Sequence, residues 1–266
     1  MRQPGRSPRL PDRVAVISDV HGNVSALRAV LADIEACGIE RVVNLGDVVG
    51  KGPRGAEAVK LCREACEATV RGNWDTFISG EAQQPWEHGQ WVRDSLGDDE
   101  IAWLAGLPGT YELVMSGRRI RLFHASQTSE FHRVHAQHTR EQFRGMFTNT
   151  DFTGDFAVAG TEPGATPDVV GYGDIHTAYL KVDDGLTLFN AGAVGNHLDG
   201  PTAPYAVLEG ELDAAKPAPF SVSFRRVPYD IEAEVAVAHE LGMPEADAYA
   251  LELRDGVFRG SAKKPD

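Results

Sequence analysis

Near its beginning the chain runs Arg13-Val-Ala-Val-Ile-Ser-Asp-Val-His-Gly-Asn23. A run of β-branched residues that stops at Asp, His and Gly is typical of a buried strand followed by a polar turn. Beyond the turn, Asn23 suits the N-cap of a helix and Gly38 suits its C-cap. Between them, apolar side chains recur at helical spacing, at Leu27, Val30, Leu31 and Ile34. The stretch therefore predicts a strand over residues 13–19 and a helix after it.

The same pattern of strand and turn recurs further along the chain. Strands are predicted over residues 41–45 and 68–71, with a helix over 55–67 between them. Such alternation is typical of parallel β-α-β units. The second half predicts a last helix over 231–241 and strands on short connections, at 111–115, 119–124, 169–172, 179–182, 186–190, 205–208 and 222–227. We predict a layered α/β (α+β) fold, in which a β-rich half packs against the parallel half with helices outside.

The length of 266 residues favours a single domain, since domains average roughly 150 residues. We expect this domain to span residues 13–258, between a disordered tail at 1–12 and a frayed tail at 259–266. Residues 125–167 are polar, rich in Gly, Thr and His, and only weakly periodic. This composition predicts that part of the segment forms a lid or insertion over a site.

Charge and composition exclude several classes of partner. The formal net charge of −13 disfavours duplex nucleic acid and argues against a nuclease, because phosphate neutralisation needs a basic face. No apolar run approaches the roughly 18 residues of a membrane span, and the start lacks the apolar stretch of a secretory signal. Three cysteines, Cys37, Cys62 and Cys66, fit a reducing compartment. We expect a cytoplasmic location without membrane contact.

Five short motifs follow predicted strands: Asp19-Val-His21, Gly46-Asp47, Gly72-Asn73, Phe123-His124 and Gly173-Asp174-Ile-His176. Ligands of α/β sheets collect at the carboxyl ends of the strands, so these side chains are expected to converge. In an extended chain Asp19 and His21 point the same way, and Asp174 and His176 repeat that spacing. Carboxylate, imidazole and amide groups in this ratio suit Mn²⁺, Fe or Zn²⁺. The central Asp47 is predicted to bridge two such ions.

The order of these motifs resembles the calcineurin-like metallophosphoesterase superfamily, in its bacterial-type metallophosphatase branch, over residues 14–230. Further points of resemblance are Asn190-Ala-Gly-Ala-Val-Gly195 and Arg226-Val-Pro-Tyr229. The resemblance implies a four-layered αββα sandwich of mixed sheets around a dinuclear metal centre. An oxygen ligand at Asp174 favours harder ions, so Mn²⁺ or Fe is expected, with Zn²⁺ as an alternative. By motif, the first ion is held by Asp19, His21 and His176, the second by Asn73, His124 and Asp174, and Asp47 bridges them.

The implied activity is hydrolysis of phosphate esters by a hydroxide that bridges the two ions. Phosphomonoesters and phosphodiesters both stay open, and the partner is a small phosphorylated substrate or a phosphoprotein. Asn73 is predicted to contact the substrate as well as the metal. Lys51 stands four residues after Asp47, where protein-phosphatase relatives carry a phosphate-binding arginine. It is predicted to bind substrate, with a surface lysine on a Gly-Pro loop as the alternative.

Two positions depart from the family pattern. Asp174 stands where relatives usually have a histidine ligand, so a turn or supporting role for it is the alternative to metal binding. Trp74 replaces a histidine that is thought to assist the leaving group, and an indole N–H is too weak an acid for that task. His197 is therefore predicted as the general acid, ahead of three histidines of the 125–167 segment, His132, His135 and His138. The departures also leave open a catalytically impaired metal-binding sensor or scaffold of the same fold.

Overall fold

Two five-stranded β-sheets pack face to face at the centre of the computed structural model, which describes residues 11–80, 85–256 and 258. The first sheet contains β1 (Asp12–Ile17), β2 (Arg41–Asn44), β3 (Ala68–Thr69), β9 (Ala203–Gly210) and β10 (Ser221–Val227), in the order β10-β9-β1-β2-β3. Strands β1, β2 and β3 are parallel, and β9 runs antiparallel to both β1 and β10. The sheet is therefore mixed, with its parallel part where the sequence predicts it.

The second sheet is built from the chain between the two halves of the first. It contains β4 (Thr110–Met115), β5 (Arg118–Phe123), β6 (Val169–Tyr172), β7 (Tyr179–Asp183) and β8 (Leu186–Asn190), in the order β4-β5-β6-β8-β7. Strands β5, β6 and β8 are parallel, whereas β4 and β7 are antiparallel edge strands. Both sheets thus present a set of parallel strands, and these sets carry the predicted motifs at their carboxyl ends.

The helices are α1 (Val24–Ala36), α2 (Gly55–Ala65), α3 (Asn73–Gly80), α4 (Glu87–Asp94), α5 (Asp98–Ala105), α6 (Arg140–Gly145), α7 (Ile231–Glu240) and α8 (Ala246–Asp255). The sequence predicts α1, α2 and α7 but misses the others. Helices α3 to α5 have eight residues each, too short to be stable in isolation, so packing rather than propensity forms them. None of the described helices has the length and apolar character needed to cross a membrane.

Alternate residues of β1 explain why its apolar run is continuous. Val14 and Val16 pack between the sheets, against residues such as Ile120 of β5. Ala15 and Ile17 point the other way, into a cluster that contains Leu27 of α1. A strand buried on both faces has no polar alternation, which is the pattern that the sequence shows. The predicted α/β sandwich of two mixed sheets with helices outside is confirmed.

The segment of residues 125–167 supplies the outermost layer over the second sheet. Phe143 and Met146 pack with Phe123 of β5 and Tyr172 of β6, all of them fully buried. Most of the buried apolar residues in this segment therefore cover the second sheet, whereas those of a simple lid would cover a site. Of the two predicted tails, residues 1–10 and 259–266 lie outside the described residues, and Asp12 already belongs to β1.

Candidate metal centre

The carboxyl ends of five strands meet at one end of the stacked sheets. The turns after β1, β2 and β3 carry Asp19, His21, Asp47 and Asn73, and those after β5 and β6 carry His124, Asp174 and His176. Six of these side chains are buried and Asn73 is partly exposed. Burying so many ionisable groups is costly unless they are paired or bind cations, so the cluster needs a functional explanation.

The backbone at these turns differs from the extended chain that the sequence analysis assumed. Asp19, His21, Asp47, Asp174 and His176 all have positive φ, between 50° and 64°. They make up five of the nine non-glycine residues in this conformation within the described ranges, so the left-handed turns concentrate at the site. The expected convergence is observed, but sharp turns and not strand alternation produce it.

Asp19, His21 and His176 form the first candidate ligand group, with ligand atoms within 4.8 Å of one another. Nε2 of His176 lies 3.2 Å from Oδ1 of Asp19 and 3.2 Å from Nε2 of His21. Nε2 of His21 lies 3.7 Å from the same aspartate oxygen. Three ligand atoms from turns far apart in the sequence thus surround one small volume.

Asp47 connects this group to a second one, formed by Asp19, Asp47 and His124. Its Oδ2 lies 3.6 Å from Nε2 of His21, whereas its Oδ1 lies 3.5 Å from Nε2 of His124. Oδ1 of Asn73 lies 2.9 Å from the same His124 nitrogen. The two oxygens of one carboxylate therefore face two different ligand groups, which is the arrangement expected of a bridging ligand.

Backbone carbonyls orient all three histidines. Nδ1 of His21 lies 3.3 Å from the carbonyl oxygen of Val49, and Nδ1 of His124 lies 2.8 Å from that of Leu45. Nδ1 of His176 donates to the carbonyl of Asn196. A proton on Nδ1 leaves the lone pair on Nε2, directed at the cluster, which is the usual support for histidine metal ligands.

The unpaired atoms and the charges of the cluster fit divalent cations. Asp19 is fully buried, yet its Oδ1 accepts no hydrogen bond from the part of the chain that the structure describes. Burial, together with the carboxylates of Asp19 and Asp75, raises the pKa of Asp47 well above its ordinary value. Burial lowers the pKa of His124, but Asp47, Asp19 and Asp174 outweigh it and raise that pKa to about 9. A bound cation stabilises the ionised form of such crowded carboxylates, because a nearby opposite charge favours it.

Asp75 is a supporting residue that the sequence-based prediction did not single out. It is fully buried and accepts hydrogen bonds from the backbone N–H groups of Asp47 (2.8 Å), Val48 (2.9 Å) and Gly72 (2.9 Å). A Cβ at Gly72 would lie 2.1 Å from Oδ1 of Asp47, so only glycine fits there. The signal available in the sequence was the position of Asp75 in Gly72-Asn-Trp-Asp75, two residues after the predicted ligand Asn73. In the structure the Asp75 carboxylate connects the turn that carries Asn73 to the turn that carries Asp47.

A cavity of about 380 Å³ opens over the cluster. Predicted ligands line it, and Lys51, Trp74, Arg133 and His135 form further parts of its wall. Lys51 is 8% exposed and its Nζ donates to Oδ1 of Asn196 at 2.9 Å, so it is not a surface lysine. A larger groove of about 590 Å³ lies where β5 and β6 begin, away from the cluster, and none of the predicted ligands lines it.

The four candidate general acids lie in different surroundings. His135 is exposed and lines the cavity, and His132 is exposed but does not line it. His138 packs against Phe143. His197 is fully buried, and its Nε2 lies 3.0 Å from the hydroxyl oxygen of Tyr229. Burial lowers the pKa of His197 to about 4, so near neutrality its imidazole is uncharged and is a poor proton donor. The described residues that line the cavity do not include His197, so the structure does not support it as the general acid.

The lowered pKa of His197 predicts a pH effect on stability. Between about pH 6.5 and pH 4 the unfolded state binds a proton at this residue that the folded state does not. This group's contribution is complete above about pH 6.5 and is lost, at up to about 1.4 kcal/mol per pH unit, as the pH falls toward 4. We expect His197→Gln to lose less unfolding free energy than the wild type between pH 7.5 and pH 5.

Urea unfolding in the presence of a chelator measures this difference without a contribution from bound metal. His239→Gln is the matched control, because His239 lies on α7 with a half-exposed side chain. Its pH dependence is expected to match the wild type. Equal losses of stability for the wild type and His197→Gln would contradict the prediction.

Two facing mixed sheets that gather Asp, His and Asn side chains at one buried cluster define a metallophosphoesterase type of fold. The sequence matches the family described as the calcineurin-like phosphoesterase superfamily domain over residues 13–213. The chain belongs to this family, whose members bind divalent metals, and the resemblance that the motifs predicted is confirmed. Membership supports phosphoester hydrolysis as the activity.

Individual proteins are similar to this chain in sequence or in fold. An uncharacterized protein from Methanocaldococcus jannaschii is 29% identical over 247 residues, which cover 82% of this chain and 88% of that protein. The crystal structure of a metallophosphoesterase from Sphaerobacter thermophilus has a TM-score of 0.70 at 25% identity, covering 92% of this chain and 99% of that one. A hypothetical protein from Pyrococcus horikoshii OT3 shares the fold, with the same TM-score and coverage at 18% identity.

Proposed function

We propose that this protein hydrolyses phosphate esters at a centre of two divalent metal ions. The observation that carries the proposal is Asp47, whose two carboxylate oxygens lie 3.6 Å from Nε2 of His21 and 3.5 Å from Nε2 of His124. In this assignment Asp19, His21 and His176 hold one ion and His124 with Asn73 holds the other. When bound, such ions activate water for attack on phosphorus and neutralise charge on the phosphoryl oxygens.

Other side chains of the cavity wall supply groups for phosphate binding and for protonation of the leaving group. Lys51 supplies a buried cation that suits a phosphoryl group. Trp74 packs edge to face against His21, with ring centroids 5.9 Å apart, and forms an apolar wall where the family motif has a histidine. His135 is the one of the four candidate histidines that lines the cavity, which makes it the better candidate to protonate a leaving group.

Metal analysis combined with two substrates tests the proposal. We expect the purified protein to hold about two metal ions per chain, measured by mass spectrometry. Removing the ions is expected to abolish hydrolysis of para-nitrophenyl phosphate or bis(para-nitrophenyl) phosphate, and adding back Mn²⁺, Fe²⁺ or Zn²⁺ separately should restore it. At most one ion per chain, with no hydrolysis under any of these metals, would favour the sensor or scaffold alternative.

A further inference from the structure

A short stretch of the 125–167 segment reaches the cavity while its neighbours stay in the core. Arg133 and His135 both line the cavity, and Val134 between them is 3% exposed and packs on the second sheet. The hydroxyl of Tyr172 donates to the carbonyl oxygen of Val134 at 2.8 Å. This anchor fixes the backbone between the two polar residues, so their place on the cavity wall is set by packing.

Arg133 makes a two-pronged ion pair with Asp174. Its Nε donates to Oδ2 at 2.8 Å and its Nη2 donates to Oδ1 at 2.7 Å. Asp174 is 5% exposed, whereas the Arg133 side chain is 49% exposed. Both carboxylate oxygens therefore already have a partner of fixed geometry, as in other bidentate arginine pairs.

Asp174 stands apart from the two tight ligand groups. Neither group includes it, and Nε2 of His124 lies 4.0 Å from its Oδ1. Asp19, in contrast, belongs to both groups and has an oxygen without a hydrogen bond. Asp174 stands where the family motif has a histidine, and its carboxylate is thus hydrogen-bonded to Arg133, which lies outside the motif.

We propose that Asp174 is a positioning residue for Arg133 and that the guanidinium of Arg133 binds the phosphoryl oxygens of the substrate. A guanidinium has five N–H donors, and Asp174 takes two of them, which leaves three for a phosphate. Lys51 lies on the same cavity, with its Nζ 3.9 Å from Oε1 of the buried Glu252, so two ion-paired cationic side chains stand beside the reaction centre. Doubly charged phosphomonoesters gain more from them than singly charged diesters. The inference rests on the proposed function and specifies its substrate class.

Kinetics of Arg133 variants on the two aryl substrates test whether the Arg133 guanidinium binds the phosphoryl oxygens. For Arg133→Gln we expect KM for para-nitrophenyl phosphate to rise about 10- to 100-fold, as for a lost charge-assisted contact, and KM for the bis ester to change less than about threefold. Arg133→Lys should recover part of the loss, because it keeps the charge without the fork. Arg144→Gln is the matched control, since this half-exposed arginine of α6 pairs with Asp184. Unchanged KM values in Arg133→Gln would overturn the proposal.

Metal content separates the two possible roles of Asp174. As a positioning residue, Asp174→Asn should keep about two ions per chain and raise KM for the monoester as Arg133→Gln does. The double variant should then be no worse than either single one, because the residues act as a unit. Loss of one ion per chain in Asp174→Asn would identify a metal ligand and overturn the assignment.

Binding of inorganic phosphate gives a readout that does not need turnover. Calorimetric titration of the metal-loaded protein is expected to show at least about tenfold weaker phosphate binding in Arg133→Gln than in the wild type or Arg144→Gln. If the wild type hydrolyses neither ester, the proposed function fails, and this titration still decides the role of Arg133. Equal phosphate affinity in all three proteins would contradict it.

Discussion

Replacing Asp47 by asparagine is expected to lower kcat for aryl phosphate hydrolysis by roughly 10³-fold or more. The substitution keeps the size of the side chain but removes its negative charge and leaves one oxygen in place of two. In the wild type one oxygen faces His21 and the other faces His124, so the variant can no longer serve both ligand groups. We expect its metal content to fall below two ions per chain, measured on the same preparation as the kinetics.

Asp151→Asn is the matched control for this experiment, because it makes the same chemical change at an exposed residue of the 125–167 segment. Its activity and metal content are expected to equal those of the wild type. A circular dichroism spectrum and an unfolding curve exclude misfolding as the cause of inactivity. If purified Asp47→Asn turned over para-nitrophenyl phosphate at the wild-type rate, the bridging assignment would be wrong.

The second large effect is expected for Asp75→Ala. Removal of this carboxylate leaves the backbone N–H groups of Asp47, Val48 and Gly72 without an acceptor in a buried place. Since each buried donor without a partner costs about 1–3 kcal/mol, we expect the unfolding free energy to fall by roughly 3 kcal/mol or more. Activity should fall as well, because these bonds hold the turn that carries Asp47 against the turn that carries Asn73.

Urea unfolding in the presence of a chelator measures the intrinsic part of this loss, without a contribution from metal binding. Asp94→Ala is the matched control, because Asp94 is an exposed residue on α4 whose Oδ1 accepts from Gln90. Its effect is expected to stay within about 0.5 kcal/mol. A wild-type unfolding free energy for Asp75→Ala would show that the three N–H groups find other partners.

Asp47→Asn and Asp75→Ala test different properties of the same pair of turns. Asp47 is predicted to act on the metal ions and the substrate, and Asp75 on the backbone that positions Asp47. The close approach of Gly72 to Asp47 explains why the turns behave as a unit, since a Cβ there would lie 2.2 Å from the Asp47 nitrogen. Measured in the presence of a chelator, loss of activity without loss of stability is therefore expected for Asp47→Asn, since burial already disfavours its charged form. Loss of both is expected for Asp75→Ala.

Local sequence predicted the framework of the fold well. The run from Val14 to Ile17 is apolar at every position because one sheet face packs on α1 and the other packs on the second sheet. Helices α3 to α5 escaped prediction, since their few apolar positions are stabilised by neighbours and not by a long periodic pattern. The strands of the second half were recognised with boundaries that differ by only a few residues.

The order of motifs along the chain was enough to predict the family and the set of candidate ligands. Each motif follows its own strand, and the place of that strand in its sheet determines where the motif lies. Only the tertiary structure decided that Asp174 pairs with Arg133, that His197 faces Tyr229, and that His135 lines the cavity. Arg133 and Asp174 lie 41 residues apart, and their contact depends on how Val134 and its neighbours pack on the second sheet. Such packing is a property of the whole fold, so a local pattern does not contain it.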